Sequence, residues 1–107
     1  MSDRDYDARV DKLLAGLEDW LEDFDADELD YDAADGVLTL EFPDGTRFVV
    51  NRQAAAGQVW LAAAGQAWHF NWSESSAAWV CDKTGRRLKA RLAETVSTKL
   101  GRDVEEP

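Results

Sequence analysis

The residues best equipped for chemistry lie in one stretch. Residues 17–36, LEDWLEDFDADELDYDAADG, place Glu18, Asp19, Glu22, Asp23, Asp25, Asp27, Glu28, Asp30, Asp32 and Asp35 among large apolar residues. Carboxylates in such numbers offer oxygen-only ligation of hard cations and an electrostatic lure for a basic surface. Two carboxylates about 4 Å apart repel by roughly 1 kcal/mol in water, and a multivalent cation relieves that repulsion. A disordered acidic tail has no need of Trp20, Leu21 and Phe24 at helical spacing, so the acids belong to a folded surface.

The charge is unevenly spread. The chain has 107 residues, a formal net charge of -10 and a pI near 4.4. Residues 1–35 hold fourteen acids and three bases, whereas 36–107 hold eight acids and nine bases. Nucleic acid and anionic membranes are therefore poor partners, and cations or basic protein surfaces are better ones. A single cysteine, Cys81, excludes an internal disulfide and a cysteine-based zinc site. No apolar run is long enough to span a membrane, and the N-terminus lacks the pattern of a secretory signal, so a cytoplasmic protein is expected.

Elements to position the acids can be read from periodicity. Val10, Leu13, Leu14, Leu17, Leu21 and Phe24 form one apolar stripe of a helix over roughly residues 4–24, capped by Ser2 or Asp3. Asp11, Glu18 and Glu22 fall along one flank of that stripe, and Asp19 and Asp23 lie further round. After residue 28 the period becomes two. Residues 29–33 alternate as a first strand with Asp30 and Asp32 on one side and Tyr31 on the other. GVLTLEF (36–42) and RFVVNR (47–52) flank the turn PDGT as a hairpin. QVWLAA (58–63), AWHFNW (67–72) and AWVCD (78–82) supply three more strands. Connections this short favour an antiparallel meander over parallel crossovers.

A second helix is expected over about residues 85–100, where Leu88, Leu92, Val96 and Leu100 repeat every four residues before the C-cap candidate Gly101. The tail GRDVEEP is expected to fray, with residues 1–107 forming a single domain. Two terminal helices, each with one apolar face, predict an α+β two-layer sandwich. Both helices pack on one face of an antiparallel sheet of about six strands.

That arrangement leaves the other sheet face open. In QVWLAA, Val59, Leu61 and Ala63 point inward, which turns Gln58, Trp60 and Ala62 outward. Asn51 sits on the same face, with Gln53 following it. Burying a side chain the size of Trp60 is worth about 1.5 to 3 kcal/mol or more, so its display marks a candidate protein-binding hot spot. His69 reads as a surface or partner-contact residue of the open face, and Cys81 as a small buried apolar residue.

NRQ at 51–53, QVWLA at 58–62, WHF at 68–70 and WVCDKTG at 79–85, together with the acidic first helix and strand, resemble the bacterial members of the frataxin family. The likeness runs over nearly the whole chain. It departs from the family pattern at Ala54 to Ala56, where members usually have a proline and where the loop before Gln58 is expected to loosen. A second departure is Trp68, often a tyrosine elsewhere. The resemblance implies the same sandwich and a role in iron handling for iron-sulfur cluster assembly. It also implies weak surface binding of iron (Fe2+ or Fe3+) and docking on a cysteine desulfurase and its scaffold protein, as iron donor or modulator. By position, Glu18, Asp19, Glu22, Asp23, Asp25, Asp27, Asp30 and Asp32 match the iron-binding ridge. Asn51, Gln53, Gln58 and Trp60 match the partner-binding sheet face, joined by Glu18, Asp19 and Glu22. No catalytic residue is expected: there is no Glu-x-x-His pair to preorganise a di-iron centre. A weak ferroxidase and a metal-free acidic binding module are the alternatives. A monomer is expected, with iron-dependent oligomers left open.

Overall fold

The computed structural model describes residues 2–107 and shows six strands between two helices. Helix α1 spans Asp3–Leu21. Its cap is Ser2, whose hydroxyl accepts the Asp5 N–H at 3.1 Å, and Asp3 and Asp5 sit at the positive end of the dipole. Tyr6, Val10, Leu13, Leu17 and Leu21 are its buried stripe. The helix ends three residues earlier than the apolar pattern predicts. Its last turn carries no basic residue, and the acids that follow Leu21 meet the negative end of the dipole. Phe24 still contributes: a turn closed by its N–H on the Leu21 carbonyl folds its ring edge-on against Trp20, 5.0 Å away.

The strands are β1 (Asp30–Ala34), β2 (Val37–Glu41), β3 (Arg47–Gln53), β4 (Gln58–Ala63), β5 (Gln66–Ser73) and β6 (Ala78–Cys81). They pair antiparallel in chain order, as the short connections require. The first strand begins one residue later than predicted, because Leu29 turns into the core before pairing begins. Residues 54–56 do not loosen the path to Gln58. They form one turn of 3-10 helix, closed by the Gly57 N–H on the Ala54 carbonyl with Gly57 in the left-handed region at φ 65°.

Helix α2 spans Leu88–Leu100 and buries Leu88, Leu92, Ala93 and Val96. It starts later than the expected residue 85. Residues 81–86 form a closed turn instead, in which Gly85 donates to the Cys81 carbonyl and Cys81 donates to the Arg86 carbonyl. Leu38, Leu40, Phe48, Val50, Val59, Leu61, Phe70 and Trp79 point from the sheet into one core shared with both helices. The other face is left free of helices. No helix is long and apolar enough to cross a membrane.

The C-terminal residues are held where fraying was expected. Val104 packs on the core, and its N–H donates to the Ser97 hydroxyl at 2.9 Å. The Trp20 indole N–H donates to the Glu105 carbonyl at 2.9 Å, Arg87 pairs with Glu106, and Arg102 pairs with Glu28. Val104, Glu106 and Arg102 of the tail find a groove, a cation and an acid on the folded body, which the tail's composition alone did not reveal.

Candidate functional site

The acids sort into paired and unpaired groups. Arg52, on the helix side of β3, pairs with Asp7 at 3.4 Å and Asp11 at 2.6 Å. It fits only because residue 36 is glycine: a Cβ there would lie 2.6 Å from the Arg52 Nε. Asp11 thereby leaves the flank it shares with Glu18 and Glu22 in the helical projection. Glu28 is drawn off by Arg102, whose hydrogen bond holds its carboxyl below the usual range. None of Glu18, Asp19, Glu22, Asp23, Asp25, Asp27, Asp30 and Asp32 makes an ion pair with a described residue.

These eight line the region where the end of α1 meets the outer strand β1. Glu18 is half-buried and the other seven are exposed. Tyr31 is the hinge of the arrangement. It turns toward the helix, and its hydroxyl donates to Glu22 at 3.3 Å. Partial burial raises its pKa, reinforced by the Glu22, Glu18 and Asp19 charges around it. Asp30 and Asp32, its neighbours in the strand, point to the open face by alternation. Asp30 stands directly opposite Glu41, which pairs with Arg47 at 3.5 Å. Asp25 spends one oxygen on the Asp27 N–H in a local turn. Among the described residues, no three carboxylate, histidine or cysteine side chains converge closely enough to chelate an ion. The ridge is thus a field of separate oxygen donors, suited to hard cations that keep much of their water.

The open sheet face differs in kind. The Trp60 ring stacks on His69 at 4.1 Å between centroids and 13° between planes. Its indole N–H donates to the Gln58 side-chain oxygen at 2.9 Å, and the Gln58 amide donates to the Asn71 oxygen at 3.1 Å. Asn51 is the cross-strand partner of Trp60 and Gln53 that of Gln58, so all four predicted face residues lie side by side on β3 and β4. Tyr6 of α1 ties its hydroxyl to the Gln58 carbonyl at 2.7 Å. His69 and Asn71 complete the platform on β5. Alternation from His69 places Asn71 on this face, two residues further along the strand, but gives no hint that its amide locks Gln58. Tyr31 was likewise legible as an inward residue but not as the acceptor of the ridge's electrostatic pressure. Cys81 is buried. Burial opposes its ionisation, but hydrogen bonds from Thr84 and the Lys83 and Thr84 backbone outweigh that, and its pKa is lowered.

The profile of the Frataxin-like domain matches residues 1–102. The chain is 38% identical over 105 residues to the iron-sulfur cluster assembly protein CyaY of Thioalkalivibrio sulfidiphilus, covering 97% of this chain and 98% of that protein. The solved structure of the frataxin from Psychromonas ingrahamii superposes with a TM-score of 0.87 at 28% identity, covering 98% of this chain and 97% of the other. Trimeric frataxin from the yeast Saccharomyces cerevisiae, complexed with ferrous iron, superposes with a TM-score of 0.69 at 28% identity, over 95% of this chain and 88% of the yeast chain. With the match spanning both helices and every strand of the sandwich, the chain belongs to the frataxin-like family.

Proposed function

We propose that this protein is a non-enzymatic, iron-binding adaptor of iron-sulfur cluster assembly. It acts as a single domain in the cytoplasm. The observation that carries the reading is the crowding of unpaired acids: Asp7, Asp11, Glu28 and Asp44 are neutralised by arginine or lysine and the other unpaired acids are scattered, while the eight of the ridge gather where α1 meets β1 without a cation from a described residue. Ferrous or ferric iron is cargo here. It binds weakly, through one or two carboxylates at a time, with water completing its shell. Several ions can ride at once, and none is held in a geometry that preorganises redox chemistry.

The same ridge steers the protein to the basic surface of a cysteine desulfurase and its scaffold protein. The Trp60 platform then makes the short-range contact. The yeast frataxin complexed with ferrous iron and the CyaY relative support this reading by likeness.

A two-dimensional amide NMR titration tests it, first with anaerobic Fe2+ or Ca2+ and then with purified desulfurase. The expected result is broadening or shifts confined to residues 18–32 with metal, and further shifts there and around Trp60 with desulfurase. A spectrum untouched by metal but perturbed by desulfurase would reduce the protein to an acidic binding module. Oxygen consumption on adding Fe2+ would instead assign it a ferroxidase activity.

A further inference from the structure

A cavity of about 680 Å³ lies between the middle of α1, the turn joining β5 to β6, and the first turn of α2, remote from the Trp60 platform and touching the ridge only at Asp19. We propose that this cleft binds a small organic anion with a flat apolar body, such as an aryl carboxylate, phosphate or sulfonate. The proposal stands independently of the iron-adaptor reading.

Charge is the first argument. In a chain of net charge -10, Arg9, Lys12, Arg87 and Lys89 line this one cleft against a single acid, Asp19. Lys12 and Lys89 are exposed and make no ion pair with a described residue. The two arginines each hold a carboxylate from a peripheral segment: Arg9 takes Glu74 at 3.5 Å and Arg87 takes Glu106 at 2.8 Å. Both partners are surface glutamates, and such pairs are weak enough to exchange for another anion.

Hydrogen-bond stock is the second argument. Of the buried side-chain polar atoms without a partner, Arg9 Nε, Trp72 Nε1 and Trp79 Nε1 all belong to residues of the cleft, and all three are donors. Trp79 is only 4% exposed, so its indole N–H has no recourse to bulk water. A ligand rich in acceptors answers that surplus. The first turn of α2 adds to it, because its N-cap, Arg87, supplies no side-chain acceptor and the turn holds no acid.

Shape is the third. The Arg9 guanidinium lies over the Trp72 ring at 4.3 Å, and Trp72 meets Trp79 edge-on at 5.6 Å, which gives the cleft an aromatic wall. On the helix side Gly16 opens it further, since a Cβ there would touch nothing within 4 Å. The volume falls in the range of about 300 to 1,000 Å³ typical of small-molecule sites, where a few polar groups orient a mainly apolar ligand.

The test is an amide NMR titration of the full chain with 2-naphthoate, beside its neutral analogue 2-naphthamide and inorganic phosphate at matched ionic strength. The expected outcome is a saturable one-to-one isotherm for naphthoate, with shifts centred on Gly16, Ala77 and Lys89. The amide should bind about tenfold more weakly, and phosphate more weakly than naphthoate, since each lacks half of the recognition. The exposed double variant Lys12→Gln, Lys89→Gln should lose about tenfold in affinity with the rest of its spectrum unchanged. Glu106→Gln should gain two- to threefold, roughly, because Arg87 is released. Non-saturating or scattered shifts, shifts centred on Trp60, equal affinity for the amide, or an unaffected double variant would each overturn the proposal.

Discussion

The acidic ridge and the Trp60 platform occupy adjoining parts of one molecule and are built on opposite plans. Along the ridge, carboxylates are left without partners, and only Tyr31 and local backbone groups restrain them. At the centre of the platform the polar groups are spoken for: Trp60 by Gln58 and His69, Gln58 by Asn71 and Tyr6. On the proposed reading the first would act through long-range field and tolerate rearrangement. The second would act through shape, with the Trp60 and Gln58 side chains already hydrogen-bonded to each other. Loose electrostatics governs how fast partners meet, and a preorganised aromatic governs how long they stay.

The strongest way to break this comparison is Trp60→Ala. Removal of a central aromatic is expected to weaken binding to the desulfurase and scaffold by about thirtyfold or more, mainly through the off-rate, with little change in melting temperature. If calorimetry showed a large loss of stability and unchanged affinity, the ring would belong to folding instead. Next comes Glu18→Lys with Glu22→Lys. The on-rate should fall by about tenfold at low salt, and the deficit should shrink as ionic strength approaches 0.5 M. A deficit insensitive to salt would mean that these acids act by contact. Gln58→Ala sharpens the contrast by freeing Trp60 while leaving its ring in place. The expected cost is about two- to fivefold in affinity, the scale of one hydrogen bond.

Acid titration separates the paired carboxylates from the ridge. Hydrogen bonds from Lys99, Arg102 and Arg86 hold Asp44, Glu28 and Glu94, respectively, below their usual range. A lowered folded-state pKa contributes stability above the unfolded value, about 4, and loses it as pH falls through the folded one. Thermal midpoints should therefore hold steady from pH 7 to 5 and decline below about 4, and Arg102→Gln should remove the Glu28 part of that decline. The smallest expected effect is cation stabilisation. Calcium at a concentration equal to its dissociation constant adds about 0.4 kcal/mol, or roughly 2 °C in melting temperature. An unmoved midpoint at saturating calcium would show that the ridge does not bind.

Much of this was legible because periodicity reports which face a residue occupies. The alternation of Val59, Leu61 and Ala63 placed Trp60 outward, and the stripe from Val10 to Leu21 placed α1 on the core. Partnerships between distant residues carry no such local signature. Nothing within residues 1–24 says that Asp11 is neutralised and Glu18 is not; that depends on Arg52 and on the room left by Gly36, far along the chain. The tail misled for a similar reason. Its polarity reads as fraying, and its anchors, Trp20, Ser97, Arg87 and Glu28, are supplied by the folded body. Boundaries slipped where turn chemistry overruled apolar spacing, at Leu21 and again at residues 81–86.

The position of β1 has a consequence for the chain in company. It is the outermost strand of the sheet, so one side of its backbone is free to template another strand. Asp30 and Asp32 guard that edge by repelling a second copy bearing the same charges. On the adaptor reading, a cation that settled on those carboxylates would cancel the guard as it bound. Cargo loading and edge-to-edge assembly would then be coupled: self-association should rise with cation occupancy and reverse on chelation, and association indifferent to cation would break the link.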